Sequence, residues 1–129
     1  MHTFKDIVTI TSKSGLYILV AKRADGIIVR ELSKQTNEFI SNRHQQCTLL
    51  ESIGIYMDNG ETQGLQKIFN RILEHKLIVP NPKSDEYALR TFISSCLENY
   101  DVEKVHISHI RKIIQWYNLI IEKEISFAE

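Results

Sequence analysis

His106-Ile107-Ser108-His109-Ile110-Arg111-Lys112-Ile113-Ile114-Gln115-Trp116-Tyr117-Asn118-Leu119-Ile120-Ile121 reads as one amphipathic helix. Ile110, Ile113, Ile114, Tyr117, Ile120 and Ile121 recur at spacings of three and four, which gathers them on one stripe of a helix. Ser108 is the N-cap this pattern predicts, because its hydroxyl can accept from the unpaired amides of a first turn. The stretch also carries Trp116, the single tryptophan of the chain. A stripe this apolar needs a surface to bury it, so the C-terminal half is predicted to be built around this helix.

Two further helices are predicted upstream. Leu89, Phe92, Ile93, Cys96 and Leu97 form a second stripe, with Ser84 as its cap, Asp85 and Glu86 in its first turn, and Asn99-Tyr100-Asp101 at its end. Leu65, Ile68, Phe69, Ile72 and Leu73 form another, capped by Thr62. Pro80-Asn81-Pro82 separates the two, since proline fixes its own φ and restricts the residue before it.

Before Gly60 the period changes. Leu16 to Ala21 and Ile27 to Leu32 are rich in β-branched and aromatic residues, and Ala24-Asp25-Gly26 between them supplies an Asp-Gly hairpin signal. Glu38 to Ser41 and Ile53 to Met57 are further short strands, and residues 4–10 form a first strand or one helical turn. Thr48 is placed to cap a single turn over Leu49 to Glu51. Turn clusters at Thr11-Ser12-Lys13-Ser14-Gly15, residues 33–37 and Asp58-Asn59-Gly60 separate these pieces. The chain is therefore predicted to be α+β: a small antiparallel β-barrel-like module at residues 1–60, SH3-like in its turn density, followed by a three-helix module at residues 61–129.

Composition narrows the function classes. At 129 residues the chain has room for one domain or two small ones, and 43% hydrophobic residues suffice for a modest core. Sixteen Lys and Arg balance sixteen Asp and Glu, so no global field steers the protein to nucleic acid or membrane. No apolar run reaches membrane-spanning length, and the N-terminus has no apolar core of a signal peptide. Cys47 and Cys96 read as small apolar residues rather than a disulfide framework. A cytoplasmic location without membrane contact is the expectation.

Two sets of residues carry a family resemblance. One is Ser14-Gly15-Leu16-Tyr17, then Asp25-Gly26-Ile27-Ile28-Val29-Arg30-Glu31-Leu32, then Ile53-Gly54-Ile55-Tyr56. The other is Asn99-Tyr100-Asp101, Val105, Ser108, Ile110, Lys112 and Trp116-Tyr117-Asn118-Leu119, the last run being the more specific. Together they resemble a family of short conserved hypothetical proteins of Bacteroidetes. That family joins an N-terminal small β domain of unknown function to a C-terminal helical domain. The resemblance covers nearly the whole chain and implies no activity. The chain departs from the family pattern at His106, where an aromatic residue is expected, and at His109, where an acid would suit the helix dipole.

Each chemical constellation has a plain structural counterpart. His44 with Cys47, and His106 with His109, have the spacing of zinc-ligand pairs. His44 lies in a polar loop and His106 precedes the helix, so coincidence is the reading adopted and no metal or other cofactor is assigned. Residues 101–112 resemble a calcium loop in outline, but the sharp-turn glycine is missing and Lys112 occupies the position of the bidentate glutamate. No phosphate-binding glycine loop, nucleophile elbow or zinc-protease helix is present, so no catalytic residue is assigned.

Lys13, Lys22, Arg23, Arg30, Lys34 and Arg43, with Tyr17, Phe39 and Tyr56, are the residues a nucleic-acid-binding barrel would use. Residues 1–60 nevertheless hold seven Lys or Arg against six Asp or Glu, and most of those aromatics are expected to face the core. The function these residues favour is a non-enzymatic binding or scaffolding protein whose partner is a protein. The candidate surface is the helix edge at His109, Lys112 and Trp116, or a cleft between the modules. Trp116 is there either a seal between helix and β module or a binding anchor. A nucleic-acid-binding small barrel is the alternative, and an enzyme of unrecognised type the third reading.

Overall fold

The two faces of one β-sheet bury two different sets of side chains, and this arrangement organises the chain. The computed structural model describes residues 3–11, 13, 15–34, 36–43 and 45–125. Ser12, Ser14 and His44, named above, lie outside the described residues. Strands β1 (Ile7–Ile10), β2 (Tyr17–Arg23), β3 (Gly26–Glu31), β4 (Asn37–Ser41) and β5 (Cys47–Leu49) form one antiparallel sheet in the order β4-β3-β2-β1-β5. β6 (Gly54–Tyr56) and β7 (Thr62–Gly64) form a separate hairpin. Helices α1 (Leu65–Glu74), α2 (Glu86–Cys96) and α3 (Ile107–Glu122) follow.

Successive strand residues point to opposite faces. On one face Val8, Ile10, Tyr17, Val29 and Ile40 form an inner cluster of the sheet itself. On the other, Ile7 and Ile18 join Phe4, Leu16, Leu50 and Ile55 in a larger cluster with the helices. That cluster takes Leu65, Ile68, Phe69 and Ile72 from α1, Leu89, Phe92, Ile93 and Cys96 from α2, and Ile110, Ile113, Ile114, Tyr117 and Ile120 from α3. The β part and the helices thus share one apolar core.

Phe69 is central to it. Its ring meets Phe4 edge-on at 5.9 Å and Tyr117 at 5.4 Å, tilted by 59°. Phe4 lies in a single 3-10 turn, Phe4–Asp6, that leads into β1, so residues 4–10 hold both a turn and a strand. Polar bonds tie the helices at their ends. Arg71 Nη1 donates to the Cys96 carbonyl at 2.9 Å, linking α1 to the end of α2, and Arg111 Nε donates to the Pro82 carbonyl at 3.2 Å.

The α+β class and the antiparallel sheet are as expected, and among the described residues no ladder joins β4 to β5. Several local expectations are corrected. Residues 53–57 do not extend the sheet, because β6 pairs with β7 and Met57 bridges to Tyr100 instead. Thr62 is therefore a strand residue paired with Tyr56, and Gly64 precedes α1. Asp85, not Ser84, caps α2, its Oδ1 accepting from the Ala88 amide at 2.9 Å. α3 starts before Ser108, with His106 at the N-cap position and no side-chain cap bond. Thr48 is taken by pairing with Thr9 in β5, and the 3-10 turn begins at Leu50.

Leu73 and Ile121 are exposed, each one residue, or about 100°, past a buried isoleucine. At the β2–β3 hairpin Arg23 pairs with Gly26, which leaves Ala24 and Asp25 as the loop. Gly26 is needed for space rather than turn conformation: a Cβ there would collide with the Ile40 carbonyl oxygen. Gly60, at φ +90°, supplies the left-handed position of the β6–β7 turn.

Truncating Phe69 removes the ring shared by the N-terminal turn, α1 and α3. Phe69→Ala is expected to lower stability by about 3–5 kcal/mol, read as a reduced urea midpoint, whereas Leu73→Ala on the exposed flank of the same helix is expected to change it little.

Candidate functional site

β1 alternates inward and outward until it reaches its threonines. Ile7 faces the helices, and two residues on Thr9 shares that face, where a polar side chain leaves the joint with α3 unfilled. The result is a cleft of about 370 Å³ between the end of β1 and α3. Thr9, Ile10, Thr11, Lys13 and Gly15 line one side, and Lys112, Gln115 and Trp116 line the other. The last three are one helical edge, spaced i, i+3 and i+4. Trp116 is half-buried, packs against the larger core cluster and contributes to the cleft wall.

The electrostatics are one-sided. Lys13 and Lys112 line the cleft, and none of the described lining residues is a carboxylate. Lys13 Nζ pairs with Glu38 Oε2 of β4 at 2.9 Å, and that hydrogen bond and charge raise the Lys13 pKa. His109 does not line the cleft. It lies three residues before Lys112, half-buried, with its pKa lowered first by burial and then by the charges of Lys112 and His106. Two of the three residues singled out in the sequence therefore meet in the cleft, and the third stands beside it. Thr9, Thr11, Lys13 and Gln115 are additions. The alternation Ile7, Thr9, Thr11 is the signal that finds the threonines once β1 is known to face α3.

Catalytic and metal chemistry gains nothing from this geometry. Among the described residues no three His, Cys, Asp or Glu side chains come together as a metal site. Cys47 lies exposed in β5, His106 and His109 lie at the start of α3, and His44 is outside the described residues. Burial pushes the Cys96 thiol up to about 12, so it stays protonated at neutral pH and is not a nucleophile. The Asp101 carboxylate is occupied with its own turn, accepting from the Glu103 and Lys104 amides at 2.9 and 3.1 Å.

The basic residues are scattered. Lys34 pairs with Glu31, Arg30 Nε donates to Asn37 Oδ1, and Lys22, Arg23 and Arg43 are exposed. Tyr17 is buried, but Phe39 and Tyr56 are 46% and 49% exposed, against the expectation that most of these rings face the core. Phe39 pairs with Ile28 on the face of β4 opposite the inner cluster, and Tyr56 lies under Lys104 Nζ at 5.5 Å.

Comparison with known proteins adds family and fold. The family model "Domain of unknown function (DUF6852)" matches residues 53–120, and "Domain of unknown function (DUF5606)" matches residues 4–50. A solution NMR structure of a protein from Bacteroides vulgatus is similar, with TM-score 0.69 and 24% identity over 95% of this chain and 88% of that one. At that identity the likeness shows the fold alone. No curated protein matches the chain. The resemblance to a two-part Bacteroidetes family of hypothetical proteins is thereby borne out, and neither family description names an enzymatic activity. No described helix is long and apolar enough to cross a membrane.

The lowered pKa of His109 makes a signed prediction. Between its folded pKa and the ordinary value of 6.5, the unfolded chain binds more protons at this residue than the folded one. Stability contributed by neutral His109 is therefore lost as pH falls through 6.5 towards the lower folded value. The urea midpoint is expected to fall between about pH 7.5 and pH 5.5, and His109→Gln to fall less over the same interval. Equal losses in the two proteins would assign the acid sensitivity to other groups.

Proposed function

This chain belongs to the DUF6852 family, whose description names no activity, and we propose that it is a non-enzymatic binding or scaffolding protein working through the cleft between β1 and α3. The observation that carries this reading is the half-buried Trp116 in the wall of a cleft whose charged lining is Lys13 and Lys112. A tryptophan held by packing on one side presents a large rigid apolar surface at little entropic cost, and such residues are common anchors of protein interfaces. With Lys13 already paired to Glu38, Lys112 is the cleft charge that favours a protein segment with an acidic side chain beside an apolar one. In this reading Trp116 is both the seal and the anchor, and His109 stands beside the cleft, three residues before Lys112. A cytoplasmic location belongs to the same reading, supported by two free thiols of which Cys47 is exposed.

Small-barrel nucleic-acid binding is the second reading, favoured by exposed Phe39 and by the strand order β4-β3-β2-β1-β5, which suits an SH3-like barrel left open at one seam. Affinity capture from the native cytoplasm with wild-type protein and with Trp116→Ala tests the first reading. A partner retained by the cleft is expected to be lost roughly thirtyfold, the scale of a hot-spot residue. Recovery of the same proteins by the variant, with its fold intact, overturns it. Retention on immobilised RNA or DNA that weakens as salt is raised would favour the second reading, and absence of retention ends it.

A further inference from the structure

A second cleft opens at the mouth of the sheet's inner cluster, where β4 and β5 are not paired. It encloses about 570 Å³. Ile27 and Ile40 form its apolar floor, continuous with the inner cluster, and Asn42, Arg43, Gln45 and Gln46 form its polar rim. Thr11 lines both this cleft and the α3 cleft.

The rim is held in place from both ends. The Thr11 amide and Oγ1 both donate to the Gln46 carbonyl, at 2.9 and 3.1 Å. At the other end the Asn42 amide donates to the Asp25 carbonyl at 3.0 Å, and the Arg43 amide to Ser41 Oγ at 3.2 Å. Gly26 completes the mouth, because a Cβ there would collide with the Ile40 carbonyl and push β4 away. A cleft of this size, with an apolar floor and a polar rim whose backbone is tied at both ends, has the form of a small-molecule site at the mouth of a β-structure. Arg43 is the one charged side chain among the described lining residues. Among the described residues it has no ion-pair partner. A planar guanidinium flanked by side-chain amides recognises a carboxylate through paired hydrogen bonds.

We propose that this mouth binds a small amphiphilic carboxylate, its apolar part on Ile27 and Ile40 and its carboxylate on the Arg43 guanidinium. The test uses 4-phenylbutyrate and its neutral counterpart 4-phenylbutanol as probes, titrated into the isotope-labelled full chain and followed by amide NMR shifts. Phenylbutyrate is expected to shift the amides of Gly26, Ile27, Gln45 and Cys47 saturably, with phenylbutanol weaker by about tenfold, the scale of one charge-assisted pair. Arg43→Gln alters a side chain outside the backbone bonds that hold the rim, and is expected to reduce phenylbutyrate binding to the phenylbutanol level with the rest of the spectrum unchanged. Three results would overturn the proposal: no saturable shift at these amides, equal binding of the two probes, or undiminished phenylbutyrate binding by the variant. Shifts at Gln115 and Trp116 in place of the mouth also overturn it, and would assign the probe to the α3 cleft.

Discussion

The contact of Phe69 with Phe4 on one side and Tyr117 on the other is the interaction on which the rest of the structure depends. It joins three pieces that are far apart in sequence: the turn before the first strand, the first helix and the last helix. Ile7 and Ile18 can then lie against the helices instead of water. Each tilted aromatic pair adds about 0.5–1.5 kcal/mol beyond its buried area. The larger consequence is geometric, since Tyr117 fixes the rotation of α3 and so sets which edge of that helix faces β1.

That rotation explains the candidate cleft. With Tyr117 directed into the core, its neighbour Trp116 is turned about 100° away, onto the flank. Lys112 and Gln115 share this flank. Opposite them β1 offers Thr9 where the alternation that placed Ile7 would place another apolar residue. The sheet thus seals against the helices at Ile7 and falls short of sealing at Thr9. Trp116 fills part of the gap and Lys13, held by Glu38, borders it.

The helical stripes were legible in the sequence because helix packing follows a local period. Ile110, Ile113, Ile114, Tyr117 and Ile120 are all buried as their spacing predicts. The caps were not, for local reasons that compete. Thr62 is a good cap in isolation, yet its backbone is used by β7, and Asp85 outcompetes Ser84 because its carboxylate reaches the Ala88 amide. Strand pairing was the least legible. Nothing within residues 53–57 says that their partners are residues 62–64 and Tyr100 rather than the sheet. The site was half legible for the same reason. Lys112 and Trp116 follow from the helix, whereas Thr9, Thr11 and Lys13 enter only through a contact across the whole chain.

The Met57–Tyr100 bridge has a consequence for the order of folding. Asp58 donates its amide to the Asn99 carbonyl and Asp101 donates its amide to the Tyr56 carbonyl, both at 2.8 Å, so residues 99–101 form a one-bridge ladder with residues 56–58 at the end of β6. This ladder encircles α1 and α2 in one long loop, whose closure entropy is met before the ladder returns any bonding. Local helix contacts are therefore expected to form ahead of it, with the ladder closing late and raising the contact order of an otherwise helical half. A chain arranged this way ties the hairpin to the two enclosed helices at the expense of speed, because the bond that closes the loop comes last.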